Sequence, residues 1–178
     1  MKNSFVSAKN REQKDLILSI INNPITFVTG TAGVGKSFCT IGLALEHLLK
    51  GKCDKFVLSR PLICMGKALP KKQAFRLEED GRIEYSPLEL MRGTNLSRTY
   101  LLLTEAQNAT YEQLKMLLTR IGDDESRIIL DGDIEQTDIK ICHMKTVMDK
   151  IEHLEEVGNV ELLESMRHPV VQKIARLL

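Results

Sequence analysis

This 178-residue chain predicts an α/β fold, a mainly parallel sheet with helices on both faces. Three observations carry that expectation. Short apolar runs of strand length alternate with longer segments of helical periodicity, which is what βαβ crossovers produce. A glycine-rich turn joins the first apolar run to the helix after it. With 43% hydrophobic and 28% charged residues, and no repeat, low-complexity tract or Pro/Gly/Ser-rich linker, residues 1–178 fit one domain able to close a core.

In chain order, Leu16, Ile17, Ile20 and Ile21 recur at helical spacing over 10–21, and Asn22, Asn23 and Pro24 should stop that helix. The apolar run 25–29 reads as a buried strand. A helix is expected over 36–50, ended by Gly51, and a strand over 55–59. Residues 60–82 read as an irregular surface excursion, basic in its middle through Lys67, Lys71, Lys72, Arg76 and Arg82, and a short strand follows at 83–85. Strands at 100–104, 127–130 and 160–163, helices at 111–121 and 143–157, and a last helix from Pro169 complete the pattern.

Charge and composition narrow the function classes. Lys plus Arg (25) against Asp plus Glu (24) gives a net charge of +1, which argues against a surface given over wholly to nucleic acid and leaves room only for a local basic patch. Aromatics are 4% with no Trp, too few for base-stacking platforms, so any grip on nucleic acid should be ionic. The stripe Lys67, Lys71, Lys72 and Arg76, with Phe75 beside it, is the candidate patch, with a solvated loop as the alternative. Cys39, Cys53, Cys64 and Cys142 form no C-x-x-C pair, so neither a zinc site nor a disulfide framework is indicated. Residues 1–10 carry no signal-peptide core and no stretch reaches the roughly 18–20 apolar residues of a membrane span, so a soluble, cytoplasmic protein is expected. The adjacent Cys142 and His143 have poor metal spacing, and Asp123-Asp124-Glu125 reads as a solvated turn.

The chemistry concentrates at Gly30-Thr31-Ala32-Gly33-Val34-Gly35-Lys36-Ser37, which matches G-x-x-x-x-G-K-[ST] between a strand and a helix. Its glycines let backbone N–H groups turn inward as an anion nest, and the helix that follows points its positive end at the same place. Lys36 should reach the terminal phosphates of a nucleotide and be largely exposed without one, while the Ser37 hydroxyl suits magnesium. A second strand ends in Thr104-Glu105, where P-loop ATPases usually carry Asp-Glu; there the Asp faces magnesium and the Glu polarises the attacking water. A third strand runs into Asp131-Gly132-Asp133-Ile134-Glu135-Gln136, a G-D-x-x-Q arrangement able to contact that water and the terminal phosphate.

These residues, with Met91-Arg92-Gly93-Thr94, Glu105-Ala106-Gln107-Asn108, Lys115 to Gly122 and Arg167-His168-Pro169, resemble the PhoH-like family over most of the chain from Gln13 onward. The family's RecA-like ATPase domain is related to the first motor domain of superfamily one helicases. The resemblance implies ATP binding and hydrolysis with Mg2+ and, as in some members, RNA-directed activity. It makes Gln13 the candidate adenine reader, or else a solvated helix residue. It makes Glu105, Gln136 and Arg167 the catalytic candidates. Arg167 would neutralise transition-state charge, unless it forms only a surface ion pair, with Arg120 of a neighbouring subunit as its rival.

The chain departs from the family pattern twice. Between Arg60-Pro61 and Met91-Arg92 it has a short basic connection where family members carry a longer segment with a Gly-Phe-Leu-Pro-Gly-like stretch. It also has Thr104 where the family has Asp, and Asp131 where the family commonly has Thr. In RecA-like sheets the strand ending at Asp131 lies between the P-loop strand and the strand ending at Thr104. Asp131 is therefore expected to replace the missing magnesium-facing carboxylate from the adjacent strand, or else merely to shape the turn at Gly132. An ATPase is the leading function, a nucleotide-binding switch with little hydrolysis the second, and a small-molecule kinase the third. One motor domain would need a homo-oligomer or a partner to separate strands.

Overall fold

The computed structural model describes residues 6–61, 78–91, 93, 96–122, 125–136 and 141–166. Expectations for Lys67, Lys71, Lys72, Arg76, Asp123, Asp124, Arg167 and the helix from Pro169 fall outside these residues. The described elements are α1 (Arg11–Asn22), β1 (Ile25–Thr29), α2 (Lys36–Leu49), β2 (Lys55–Arg60), β3 (Ile83–Pro87), β4 (Thr99–Thr104), α3 (Tyr111–Leu118), β5 (Arg127–Gly132), α4 (His143–Ile151) and β6 (Val157–Glu161). All six strands pair in parallel, in the order β3-β2-β4-β5-β1-β6.

The continuous apolar strands have a simple physical cause. Successive side chains point to opposite faces, and both faces of this sheet are covered. Val28, Leu102 and Ile129 pack on one side with Leu16 and Ile20 of α1 and Leu43 and Leu48 of α2. Phe27, Leu101, Leu103, Ile128 and Leu130 pack on the other with Leu114 and Leu117 of α3 and Met144 of α4. α1 starts where the Asn10 side chain accepts the Gln13 N–H at 2.9 Å, and α3 starts on a capping box between Thr110 and Gln113. Among the described residues no helix is long and apolar enough to cross a membrane.

Three elements differ from the sequence expectation by three residues or more at an end. α3 stops at Leu118 rather than 121, because Thr119 turns its hydroxyl back onto the Lys115 and Met116 carbonyls and Ile121 leaves to bridge Leu96. α4 stops at Ile151 rather than 157, and β6 runs over Val157–Glu161 rather than 160–163. Val157 lies opposite Ile25 and adds an edge to β1. Gly158 lets β6 pass directly under α1, since a Cβ there would lie 2.1 Å from Ser19 Oγ.

Candidate nucleotide site

Strand order decides which residues meet. β5 lies between β1 and β4, and the register sets Thr29 opposite Gly132 and Thr104 opposite Asp131. The loop after β1, the end of β4 and the end of β5 therefore open onto one place, the carboxyl edge of the sheet where α/β folds hold ligands. A cavity of about 330 Å³ lies there, walled by the P-loop, Phe38, Glu105, Gln107, Asp131, Gly132, Asp133 and Gln136.

The loop keeps its shape through tight approaches. Gly30 has φ 131° and lies so close to the segment after β6 that a Cβ would sit 2.1 Å from the Leu162 carbonyl oxygen. Gly35 has φ 99° and leaves room for Gln13, whose Nε2 would be 2.6 Å from a Cβ there. From the far end of the fold the Met166 N–H donates to the Gly33 carbonyl at 3.0 Å.

Lys36 differs from its expected exposure. It is 9% exposed, because its ammonium turns back on the loop and donates to the carbonyls of Gly30 at 2.5 Å and Thr31 at 3.1 Å. Asp131 Oδ1 lies 3.7 Å from the same Nζ, and Asp131 Oδ2 accepts from the Ser37 hydroxyl at 2.5 Å. Burial pushes the Asp131 carboxyl above its ordinary value, opposed by the Lys36 charge and the Ser37 hydrogen bond. Thr104 takes no part in the cavity wall; its hydroxyl donates to the Ser59 carbonyl on β2 at 3.4 Å.

Glu105 stands in left-handed backbone, φ 55°, at the tip of β4, a conformation that costs energy for a non-glycine residue and turns its side chain toward the cavity. Gln107 donates to Glu105 Oε2 at 2.8 Å, and Arg60 Nη2 lies 3.6 Å from Oε1. The other end of the Gln107 amide accepts the Asp133 N–H at 3.2 Å, which ties the catalytic candidate of β4 to the turn after β5. In that turn Asp133 Oδ1 accepts the Glu135 N–H, while its Oδ2 is buried with no hydrogen-bond partner among the described residues.

The structure thus brings Gly33, Gly35, Lys36, Ser37, Glu105, Asp131 and Gln136 around one cavity. Gln13 and Arg120 are not on its wall, and Gln13 is 1% exposed. Gln107 and Asp133, which the sequence motifs contain without a role of their own, line the cavity together with Phe38, and Arg60 reaches the site through Glu105. Gln107 was the most legible of them, two residues after Glu105 in a single 3-10 turn. The donors that fit magnesium are the Ser37 hydroxyl and the Asp131 carboxylate, hard oxygens of the kind this ion takes while keeping most of its water. No group of three or more His, Cys, Asp or Glu side chains among the described residues would cage a metal by itself.

Comparison with known proteins gives the same picture. The chain is 33% identical over 204 residues to a PhoH-like protein of Synechocystis sp., covering 97% of this chain and 62% of the relative. It is 30% identical over 204 residues to a PhoH-like protein of Bacillus subtilis, covering 97% and 64%. Protein PhoH of Escherichia coli K12 is 29% identical over 181 residues, covering 86% and 51%. The chain therefore spans less than two thirds of the length of these relatives. Among solved structures, the large terminase from a thermophilic bacteriophage superposes with a TM-score of 0.65 at 9% identity, over 97% of this chain and 51% of that one. The same terminase in complex with ADP gives 0.57 at 9% identity over 85% and 44%. The fold is thus that of a RecA-like P-loop NTPase domain. The model of the PhoH-like protein family matches residues 5–74 and 65–178, and with relatives of this identity over nearly the whole chain, this chain belongs to that family.

Proposed function

We propose that this chain binds ATP with Mg2+ in the cavity beside the P-loop and hydrolyses it. The observation that carries the reading is the meeting of the Ser37 hydroxyl, the Asp131 carboxylate and the Lys36 ammonium at the cavity wall, with contacts of 2.5 and 3.7 Å to Asp131. The hydrogen bonds of Lys36 go to the Gly30 and Thr31 carbonyls, which a phosphate would replace, since loop carbonyls compete poorly with a multiply charged anion for an ammonium. Ser37 and Asp131 would hold the magnesium, which supplies charge neutralisation for the terminal phosphates. Asp131 then does from β5 what Thr104 cannot do from β4.

Glu105 polarises the attacking water, oriented by Gln107. Gln136 sits on the same wall, where its amide can contact the water or the terminal phosphate. Arg167, which lies outside the described residues, is assigned to transition-state charge from the family resemblance alone.

Phosphate release under saturating ATP and magnesium tests the reading. Asp131→Asn should cut turnover severely, and Thr104→Asp with Asp131→Thr should restore it; full activity in Asp131→Asn overturns the assignment of that carboxylate. The second reading, a nucleotide switch with little hydrolysis, is favoured by Glu105 being engaged by both Arg60 and Gln107. Binding without phosphate release would decide for it. Coupling to RNA or another nucleic acid, through a homo-oligomer or partner that supplies a second motor surface, is the finer part of the proposal. ATP turnover measured with RNA and with DNA separately tests it.

A further inference from the structure

The cavity wall is uneven in its chemistry. Its charged and amide side chains are Lys36, Glu105, Asp131, Asp133, Gln107 and Gln136, of which Gln107 is spent on Glu105 and on the Asp133 N–H. These groups surround the phosphate cradle. Among the described residues the one aromatic ring on the wall is Phe38, in the first turn of α2 directly after Ser37. It is 56% exposed, in a chain that has only five Phe, three Tyr and no Trp. The ring lies on the same wall as Lys36 and Ser37, the side chains that would hold the phosphates of a nucleotide.

The residue best suited to read a base edge is occupied elsewhere. Gln13 donates through Nε2 to the Val34 carbonyl at 3.0 Å and accepts the Lys9 N–H on Oε1 at 2.9 Å. At 1% exposure, and seated against Gly35, it braces the P-loop from a position off the cavity wall. Buried in that way, the amide fixes loop geometry and presents no edge to the cavity.

Resting on the nucleotide-binding reading above, we propose that the Phe38 ring seats the base of the nucleotide by stacking, with Gln13 acting as a positioning residue for the loop, so that the site discriminates little between adenine and guanine. Stacking is tolerant of base identity because every base offers a π-face. Selectivity then resides in the phosphates, which the cradle reads through charge and backbone N–H groups.

The test measures binding of ATP, GTP and inorganic tripolyphosphate, each with magnesium, to the full chain and to Phe38→Ala, Phe38→Tyr and Gln13→Ala. The chain should bind ATP and GTP within about threefold of each other, since both bases stack. Phe38→Ala should weaken both nucleotides about tenfold, the order of one lost base–aromatic stack, without weakening tripolyphosphate. Phe38→Tyr should restore the nucleotide gain, and Gln13→Ala should weaken all three ligands together. A preference for ATP beyond about tenfold, or an unchanged nucleotide affinity in Phe38→Ala, overturns the proposal. So does a Gln13→Ala chain that loses affinity for ATP alone. Tripolyphosphate bound as tightly as ATP overturns the stacking and leaves the cradle standing; no binding of any of the three overturns both.

Discussion

Glu105 illustrates how one side chain is prepared by its surroundings. Its left-handed backbone, φ 55°, and the hydrogen bond from Gln107 fix where the carboxylate points before any ligand arrives. Glu105→Gln keeps shape and size but removes the charge proposed to polarise water. ATP binding should therefore persist while single-turnover phosphate release falls by about a hundredfold or more, the scale of general-base catalysis. Undiminished release would reassign the base. At this scale the sequence was informative about residues that act through local spacing. The run Gly30 to Ser37 and the strand ends at Glu105 and Asp131 are legible because a motif and a strand end are properties of adjacent residues. The burial of Lys36 and the orientation of Gln13 were not, because they depend on the folded shape of the loop, which turns Lys36 onto the Gly30 and Thr31 carbonyls beside Asp131 and Gln13 onto the Val34 carbonyl.

β6 shows the same division for an element. The strands β1, β4 and β5 were plain in the sequence because each is a run of Ile, Val, Leu or Phe long enough to fill both faces. β6 reads Val157-Gly158-Asn159-Val160-Glu161, with only two apolar residues, and its pairing with β1 decides where it begins. The preceding stretch Glu152-His153-Leu154-Glu155-Glu156 continues the helical pattern of α4 past its true end. Gly158 is the telling position, since a side chain there meets Ser19 Oγ at 2.1 Å and Asn23 Nδ2 at 2.7 Å. Gly158→Val should force α1 away from the sheet and cost about 1–3 kcal/mol, as overpacking does. In thermal unfolding that is a fall in Tm of about 2–4 °C for each kcal/mol in a chain of this size. An unchanged Tm would mean that α1 gives way freely.

Across the molecule, the end of the sheet opposite the site carries its own titration. His47 on α2 and Tyr100 on β4 meet at 2.6 Å between Nδ1 and the phenol oxygen, both buried. Burial lowers the His47 pKa below 6.5, helped by the charges of Lys52, Lys50 and Arg127 and opposed by Glu46, and burial raises Tyr100 to about 12. A neutral ring accepting the phenol proton fits both shifts. The unfolded chain binds a proton at His47 at a higher pH than the folded one does. Stability therefore falls as pH drops below 6.5, and the loss levels off once the folded ring also protonates. Denaturant titrations between about pH 7.5 and 5 should show this slope, on either side of the ordinary histidine value, and His47→Gln should flatten it. An equal slope in both chains would place the dependence elsewhere.

The bracing of the P-loop has a consequence for when the protein becomes competent. Glu12 accepts the N–H groups of Leu163 and Glu164, and Asn10 donates to Glu164, pairs 151 to 154 residues apart in sequence. Gly30 is packed on Leu162 and Gly33 is held by Met166, so the loop is clasped by a segment synthesised more than a hundred residues after it. Closing so long a stretch of chain is entropically costly and comes after local helices and short-range contacts have formed. The P-loop is thus translated early and finished late. During synthesis the growing chain carries the complete motif before its clasp exists, and the loop can take its final bracing only when the segment after β6 has been made and has folded back across the sheet.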